Sequence, residues 1–252
     1  MMTEKAEQLA PIYSEEHPYG VALTRDGEVM LTPKRNDLVF PNEQLAEAVA
    51  ADFSAPKAAN DESGEADDSE NAENAPQRRN NQKAGTLKKL AYTAIDQVEE
   101  ARSIIIESMI AYLHTDTICY MSEDPELQQF ERKHWQPIID WTEETFTCKL
   151  EIFEGIMPGD QSEEAAENIA FKLEGYNNWQ LAALMDLGAG FSSLLLAIAV
   201  IEGRLDVAQA FECSIADELY QNEKWGIDEE AEAKREKLKA ELLETQKFLQ
   251  LL

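Results

Sequence analysis

The chain has 252 residues, 44% of them hydrophobic, which is enough for a sizeable core in one large domain or two small ones. Its charge is less ordinary, because 22 basic and 50 acidic residues give a formal net charge of −28. This balance excludes nucleic acid as a partner, since phosphate binding needs clustered lysine and arginine, and anionic membrane surfaces would repel the chain. It permits a cationic partner or simple solubility.

The amino terminus and the cysteines both indicate the compartment. Residues 1–9 are acidic and lack the apolar core of a secretory signal and the arginines of a transit peptide. The three cysteines, Cys119, Cys148 and Cys213, are far apart and odd in number. We therefore expect reduced thiols in a chain that stays in the compartment where it is made.

The first predicted elements are β-strands. Residues 21–24 and 29–32 alternate apolar with smaller or polar positions, and Asp26-Gly27 between them predicts a tight hairpin. Residues 38–40 predict a third short strand. Asn42 then caps a helix whose apolar stripe contains Leu45, Val49 and Phe53.

Residues 54–85 have a different composition. Acidic residues lie among Ala, Asn, Ser and Gly, and no large apolar residue occurs between Ala58 and Ala84. Such a segment cannot bury enough surface to offset its ordering entropy, so we predict that it is disordered. The expected fold is α+β: a β-rich domain with one helix at 1–53, an acidic insert at 54–85, and a larger all-helical domain at 86–252.

The helical period is clear from Leu87 to Leu113, and a second helix is predicted from Pro125 to about Phe146. Pro137 inside this second helix implies a kink or a break into two pieces. Residues 148–152 alternate like a short strand. Further helices are predicted at about 162–174, 178–201, 205–213, 214–225 and 229–251.

The apolar run at 179–201 is long enough to cross a membrane and has one charged residue, Asp186, in its first half. Gly188, Gly190 and two serines interrupt its centre, and it lacks flanking basic residues on one side. We interpret the run as a central core helix without membrane insertion. The two glycines would let a neighbouring helix approach closely.

Few residues suggest chemistry. His114 and Asp116 could offer two metal ligands without a third, and no zinc or nucleotide-binding motif occurs. His134 is on the apolar face of its helix, which favours a hydrogen-bonded core histidine. Asp96 and Asp116 adjoin apolar segments, so we predict that they cap backbone ends from buried positions. An enzyme with an unrecognised carboxylate site at Asp96, Asp116 or Asp217 remains an alternative.

Residues 214–226 predict a short helix that carries carboxylates and ends at Trp225 and Gly226. Asp217, Glu218, Gln221 and Trp225 are three or four positions apart, so they can share one helical face. No nucleophile with an adjacent base is among them. The segment therefore predicts a surface that another protein recognises rather than a site where bonds break.

Several separated segments carry a family resemblance: Tyr19-Gly20-Val21-Ala22-Leu23, Leu31-Thr32-Pro33, Leu38-Val39-Phe40-Pro41, Leu45-Ala46-Glu47-Ala48-Val49-Ala50, Leu90-Ala91-Tyr92-Thr93-Ala94-Ile95-Asp96, Thr115-Asp116-Thr117-Ile118-Cys119-Tyr120, Trp135-Gln136-Pro137-Ile138-Ile139-Asp140-Trp141, Tyr220-Gln221 and Trp225-Gly226. In order and spacing they resemble the ATP synthase F1 assembly factor 2 family, the chaperones of the F1 alpha subunit. The resemblance covers residues 19–252 apart from the acidic insert.

The resemblance implies a β-rich front and a helical rear, as expected above. It implies binding to the unassembled alpha subunit of the F1-ATPase, whose interface the chaperone shields until the beta subunit replaces it. It also implies no enzymatic activity and no nucleotide requirement, so we expect no cofactor. The missing transit peptide fits a bacterial cytoplasmic member, which we expect to be monomeric when free. A general acidic adaptor is a further alternative.

The resemblance also implies site residues. Where the family reads Arg-Leu-Glu-Glu, this chain reads Ile215-Ala216-Asp217-Glu218, so the functional acid is Asp217 and the arginine is replaced. We expect Asp217 to be exposed, so that Asp217→Lys weakens alpha-subunit binding and leaves the melting temperature nearly unchanged. Phe53 takes the place of the tryptophan that usually ends the first helix. The expected partner-binding residues are Asp217, Glu218, Tyr220, Gln221, Trp225 and Phe53.

Overall fold

The computed structural model describes residues 10–54 and 86–252. The expectations for residues 1–9 and for the acidic insert lie outside these ranges, apart from Ser54, which ends the first helix. Within them, strands come first and helices follow, so the predicted α+β class with a β-rich front is confirmed.

The front sheet is built around one central strand. Strand β1 (Ile12–His17) pairs antiparallel with β2 (Gly20–Arg25), whose other edge pairs with β3 (Glu28–Val29) and β4 (Val39–Phe40). The predicted hairpin between β2 and β3 is confirmed: Asp26 and Gly27 have φ of 56° and 78°, as a tight turn with two left-handed residues requires. Strand β1 was not predicted, because its alternation is hidden by two adjacent glutamates on a largely exposed strand.

Helix α1 (Glu43–Ser54) begins as predicted, with the Leu45 amide donating to Asn42 Oδ1 at 2.8 Å. Leu45 and Val49 are fully buried and belong to a smaller core with residues of the sheet and of the helical part. This smaller core contains Leu23, Leu38, Phe40, Leu87, Leu90, Ala183 and Phe248, among others. The front sheet therefore packs directly on the helices.

The predicted first long helix is divided. Helix α2 (Thr86–Thr93) continues into a π-helical turn (Ala94–Val98) and then into α3 (Glu99–Leu113). Near the start of α3, Ala101 leaves helical geometry, with φ −127° and ψ 29°. The apolar period continues across these irregular turns, and for that reason the sequence pattern predicted a single helix.

The remaining elements surround a larger core. They are a 3-10 turn (Thr117–Cys119), β5 (Tyr120–Met121), α4 (Pro125–Phe146), β6 (Phe153–Glu154), α5 (Glu163–Glu174), α6 (Asn178–Phe191), α7 (Leu194–Ile201), α8 (Val207–Ser214), α9 (Ala216–Trp225) and α10 (Glu229–Gln250). Strands β5 and β6 form a parallel pair, so the expectation of an all-helical part at 86–252 was wrong. The strand expected at 148–152 was also wrong, because β6 begins only after this segment. Helix α4 passes through Pro137 without ending, so a break there was wrong. The buried Ile138 and Ile139 pack on the core and hold the helix across the missing hydrogen bond.

The apolar run at 179–201 forms two helices instead of one. Ser192 turns left-handed at φ 53°, and Ser193 caps α7 by accepting from the Leu196 amide at 3.1 Å. Residues 194–200 are buried, as expected of a core helix. None of the helices within 10–54 and 86–252 is long and apolar enough to span a membrane. A Cβ on Gly190 would overlap Leu242 of α10, which confirms the close approach there.

Candidate partner-binding surface

Helix α9, which carries most of the predicted site, packs mainly on α4 and on α8. It ends at Gly226, whose φ of 91° and ψ of 168° are readily available only to glycine. The Gly226 amide donates to Asn222 O at 3.0 Å and so closes the last turn. The predicted helix and its glycine end are confirmed.

The outward side of α9 combines apolar and acidic groups. Trp225 is 76% exposed, and Ile227, just beyond the helix, is 66% exposed. Glu218 and Gln221 are also exposed. Arg235 of α10 pairs with Glu218, Nη1 to Oε2, at 2.6 Å. We call Glu218, Gln221, Trp225 and Ile227 the α9 face.

Tyr220 lies between α9 and α4. Its hydroxyl donates to Glu126 Oε2 at 3.2 Å, and its ring centroid is 5.7 Å from that of Phe130. Lys224 pairs with the same Glu126 carboxylate and lies 4.7 Å over the Tyr220 ring. The hydrogen bond from Lys224 lowers the pKa of Glu126 below its usual value. Tyr220 therefore fixes α9 to α4.

Asp217 is not exposed as expected. It is half-buried, and its Oδ1 is fully covered without a hydrogen-bond donor among the described residues. Its neighbour is Glu131 of α4, which is 1% exposed and accepts from the Ser122 amide at 2.7 Å. The reason is geometric, because α9 turns the side that contains Ala216 and Tyr220 toward α4, and Asp217 borders that side.

Glu131 is the residue that the sequence analysis missed. Burial raises its pKa to about 7, and hydrogen bonding to Asp217 and the charge of Asp217 act in the same direction, against the Ser122 amide. A signal was present in the sequence. Glu131 precedes Trp135 by four positions and Ile138 by seven, so it falls on the buried stripe of α4.

Phe53 belongs to another part of the molecule. It lies on α1, edge-on to Tyr92 with ring centroids 6.4 Å apart, and Lys88 Nζ is 4.6 Å from its ring centre. Helix α1 packs on α2 and on the front sheet. The structure thus brings five of the six predicted residues together on α9 and places Phe53 against the smaller core.

The other two aspartates have the predicted structural role. Asp96 accepts from the Lys34 amide at 3.1 Å, from Asn36 Nδ2 at 2.9 Å and from Thr32 Oγ1 at 2.5 Å, which ties the loop after β3 to the π-helical turn. Asp116 accepts from the Ile118 amide at 3.3 Å and from the Leu195 amide at 2.9 Å. Burial raises the pKa of Asp116 to about 6, although these hydrogen bonds oppose the rise.

The histidines and cysteines form no metal-binding cluster in the described part of the chain. His134 Nδ1 is 2.8 Å from Phe130 O, and its ring lies tilted against that of Phe130 with centroids 4.5 Å apart. The predicted hydrogen bond is confirmed, but the histidine is half-buried and not in the core. His114 Nδ1 accepts from the Gln161 amide at 3.1 Å. Cys119, Cys148 and Cys213 are free thiols, as expected.

A cleft of about 680 Å³ lies between the front sheet and the π-helical turn. Tyr19, Lys34, Asp96 and Trp179 line it. Two of its charged groups are engaged, because Asp96 accepts three hydrogen bonds and Lys34 Nζ is 2.5 Å from Glu100 Oε2. The Asp96 carboxylate in this cleft therefore has the donors that the covered Oδ1 of Asp217 lacks among the described residues.

Comparison with known proteins identifies the family. The ATP12 chaperone protein family matches residues 8–143, more than half of the chain. The curated "Protein atp12, mitochondrial" of Schizosaccharomyces pombe is 29% identical over 156 residues, which are 57% of this chain and 52% of that protein. This chain thus matches about half the length of that curated relative.

Solved structures agree over nearly the whole chain. The crystal structure of Atp12 from Paracoccus denitrificans has a TM-score of 0.79 and 28% identity, and an aspartate-to-lysine variant of it has 0.79 and 27%; each match covers 97% of both chains. The Atu1473 protein of Agrobacterium tumefaciens, at 24% identity and a TM-score of 0.77 over 96% of this chain and 83% of its own, shows the fold alone. This chain belongs to the ATP12 chaperone protein family.

Proposed function

We propose that this protein is an assembly chaperone for the ATP synthase. It binds the unassembled alpha subunit of the F1-ATPase and shields its subunit interface until the beta subunit replaces it. The observation that carries the proposal is membership of the ATP12 chaperone family, together with a fold shared over 97% of the chain with Atp12 of Paracoccus denitrificans. The bacterial relative supports a bacterial cytoplasmic location, and the proposal includes a free protein that is monomeric and acts without cofactor or catalysis.

The α9 face supplies the proposed contact. An orphan subunit exposes apolar surface that would otherwise aggregate, and Trp225 with Ile227 offers exposed apolar area to cover it. Glu218 and Gln221 add a polar border, which suits a contact that must be released again. Asp217 and Tyr220 serve the contact by holding α9 on α4, and Phe53 is retained as a second contact on α1.

One observation favours an enzyme as a second candidate. Glu131 and Asp217 are neighbouring carboxyl groups, and a strongly raised pKa next to a charged partner is typical of catalytic acids. Asp96 and Asp116 give this candidate no support, because each is bound to backbone amides. Turnover of any substrate that Asp217→Asn abolishes would favour the enzyme over the chaperone.

The test is co-expression with the alpha subunit of the same host, scored for alpha-subunit solubility and for a one-to-one complex on gel filtration. We expect a soluble complex that persists at high salt, since apolar contacts are not screened. Binding to many basic proteins that is lost at high salt would instead favour a general acidic adaptor, in keeping with the net charge of −28. Recovery of no alpha subunit at any salt concentration would refute the proposal.

A further inference from the structure

The contact between α4 and α9 contains two carboxyl groups with one unmet hydrogen-bonding need. Glu131 is 1% exposed, and one of its oxygens is already bonded to the Ser122 amide. Asp217 presents a covered Oδ1 that no donor among the described residues reaches. If both carboxyl groups were ionised in this covered contact, they would repel each other, and Asp217 Oδ1 would still have no hydrogen-bond donor.

A single proton resolves both problems. A protonated Glu131 can donate to Asp217, which gives the covered oxygen a donor and leaves one negative charge on the pair. We propose that Glu131 is a positioning residue, which holds α9 on α4 through one proton that it shares with Asp217. Loss of this proton loosens α9. The functional consequence rests on the proposed function, because only then is α9 the helix that contacts a client.

Glu131 is the carboxyl group at the α4–α9 contact whose pKa is raised, and Asp116, whose pKa burial raises to about 6, bonds instead to the Ile118 and Leu195 amides. Arg132 on α4 and Asp217 on α9 are the charged groups that act on Glu131, and α7, which also packs on α4, carries none. β5 and the 3-10 turn also pack on α4, and each has one titratable side chain there. The Tyr120 hydroxyl donates to His114 O, and burial raises the pKa of the Cys119 thiol. α5 meets the far end of α4, where Asn168 donates to Thr147 O and Glu164 lies near Cys148.

The direction of the pH effect follows from the position of the pKa. The pKa of Glu131 is raised from 4.5 to about 7 when α9 is in place. Between these two values the closed helix binds a proton that the opened helix releases, so opening becomes easier as the pH rises through this window. Above about pH 7 both forms are ionised, and the effect levels off.

Amide hydrogen exchange of the free protein tests the proposal directly. We expect the protection of α9 amides, corrected for intrinsic exchange, to fall by roughly 10- to 100-fold between about pH 5 and about pH 7, since one pKa unit corresponds to a factor of about 10. Glu131→Gln keeps a donor toward Asp217 and should abolish this dependence. Glu126→Gln, the same change five positions earlier on α4, removes the acceptor of Lys224 and should loosen α9 equally at every pH.

Three results would overturn the proposal: α9 protection in the native protein that does not change with pH, a Glu131→Gln variant that retains the native slope, or a carboxyl 13C titration that finds Glu131 ionised at about pH 5. The last needs no variant, so it applies even if Glu131→Gln fails to fold. No client is present in these measurements. A pH-dependent α9 in a protein that never binds alpha subunit would refute the proposed function and leave the shared proton intact.

Discussion

Two aspartates, the buried Asp96 and the half-buried Asp217, join separate parts of this molecule, and their surroundings differ. Asp96 lies between the front sheet and the π-helical turn, where three donors reach its two oxygens. Asp217 lies between α9 and α4, where its Oδ1 has no donor in the described part of the chain. A fully bonded buried carboxylate fixes one arrangement, whereas an incompletely bonded one leaves the contact open to change.

The largest effect should come from Asp96→Asn. The side-chain amide nitrogen that this change introduces would face at least one of the three donors that now bond to the carboxylate. We therefore expect a loss of about 3 kcal/mol in the free energy of unfolding. Chemical denaturation measures it. Glu100→Gln is the control, because its ion pair with Lys34 is exposed and should contribute less than about 1 kcal/mol. Equal losses in the two variants would show that Asp96 does not hold the sheet to the helices.

Trp225→Ala should have the next largest effect, on binding alone. A central aromatic residue typically contributes about 2 kcal/mol to an interface, so affinity for the alpha subunit should fall about 30-fold. Because Trp225 is 76% exposed, the melting temperature should stay within about 1 °C. Phe171→Ala on α5 is matched, since Phe171 is 79% exposed outside the α9 face. The α9 face would lose its proposed role if both variants bound equally well.

Asp217→Asn should have the smallest effect and the opposite sign to Asp96→Asn. Above about pH 7 it removes the repulsion with Glu131 and adds a donor, so we expect a gain of about 1 kcal/mol in the free energy of unfolding. Denaturation of both variants at the same pH tests the comparison. A loss as large as that of Asp96→Asn would mean that the two contacts are equally rigid.

Local chemistry predicted the turns and the helix ends. Asp26-Gly27 specified its hairpin, and Asn42 specified the start of α1, because each depends on neighbours in the chain. The family resemblance placed the signature helix correctly. Periodicity also predicted the extent of α4, but it could not detect the π-helical turn, which shifts the register by one residue without interrupting the apolar pattern.

Orientation was the part that the sequence could not supply. The spacing of Asp217, Glu218 and Gln221 shows that they can share one face of a helix, but it does not say which side of the helix meets α4. The expectation that Asp217→Lys leaves the melting temperature nearly unchanged was based on exposure, and the half-buried carboxyl group removes that basis. Its partner Glu131 lies 86 positions earlier, so only tertiary packing brings the two together.

Helix α10 has a consequence for cooperativity. Leu242 packs against Gly190 in the larger core, while Phe248, further along the same helix, is fully buried in the smaller core with the front sheet. Because α10 contributes side chains to both cores, unfolding of either core would remove packing from the other. Calorimetry should therefore show one melting transition, with equal calorimetric and van't Hoff enthalpies, although the sheet and the bundle look separable along the chain.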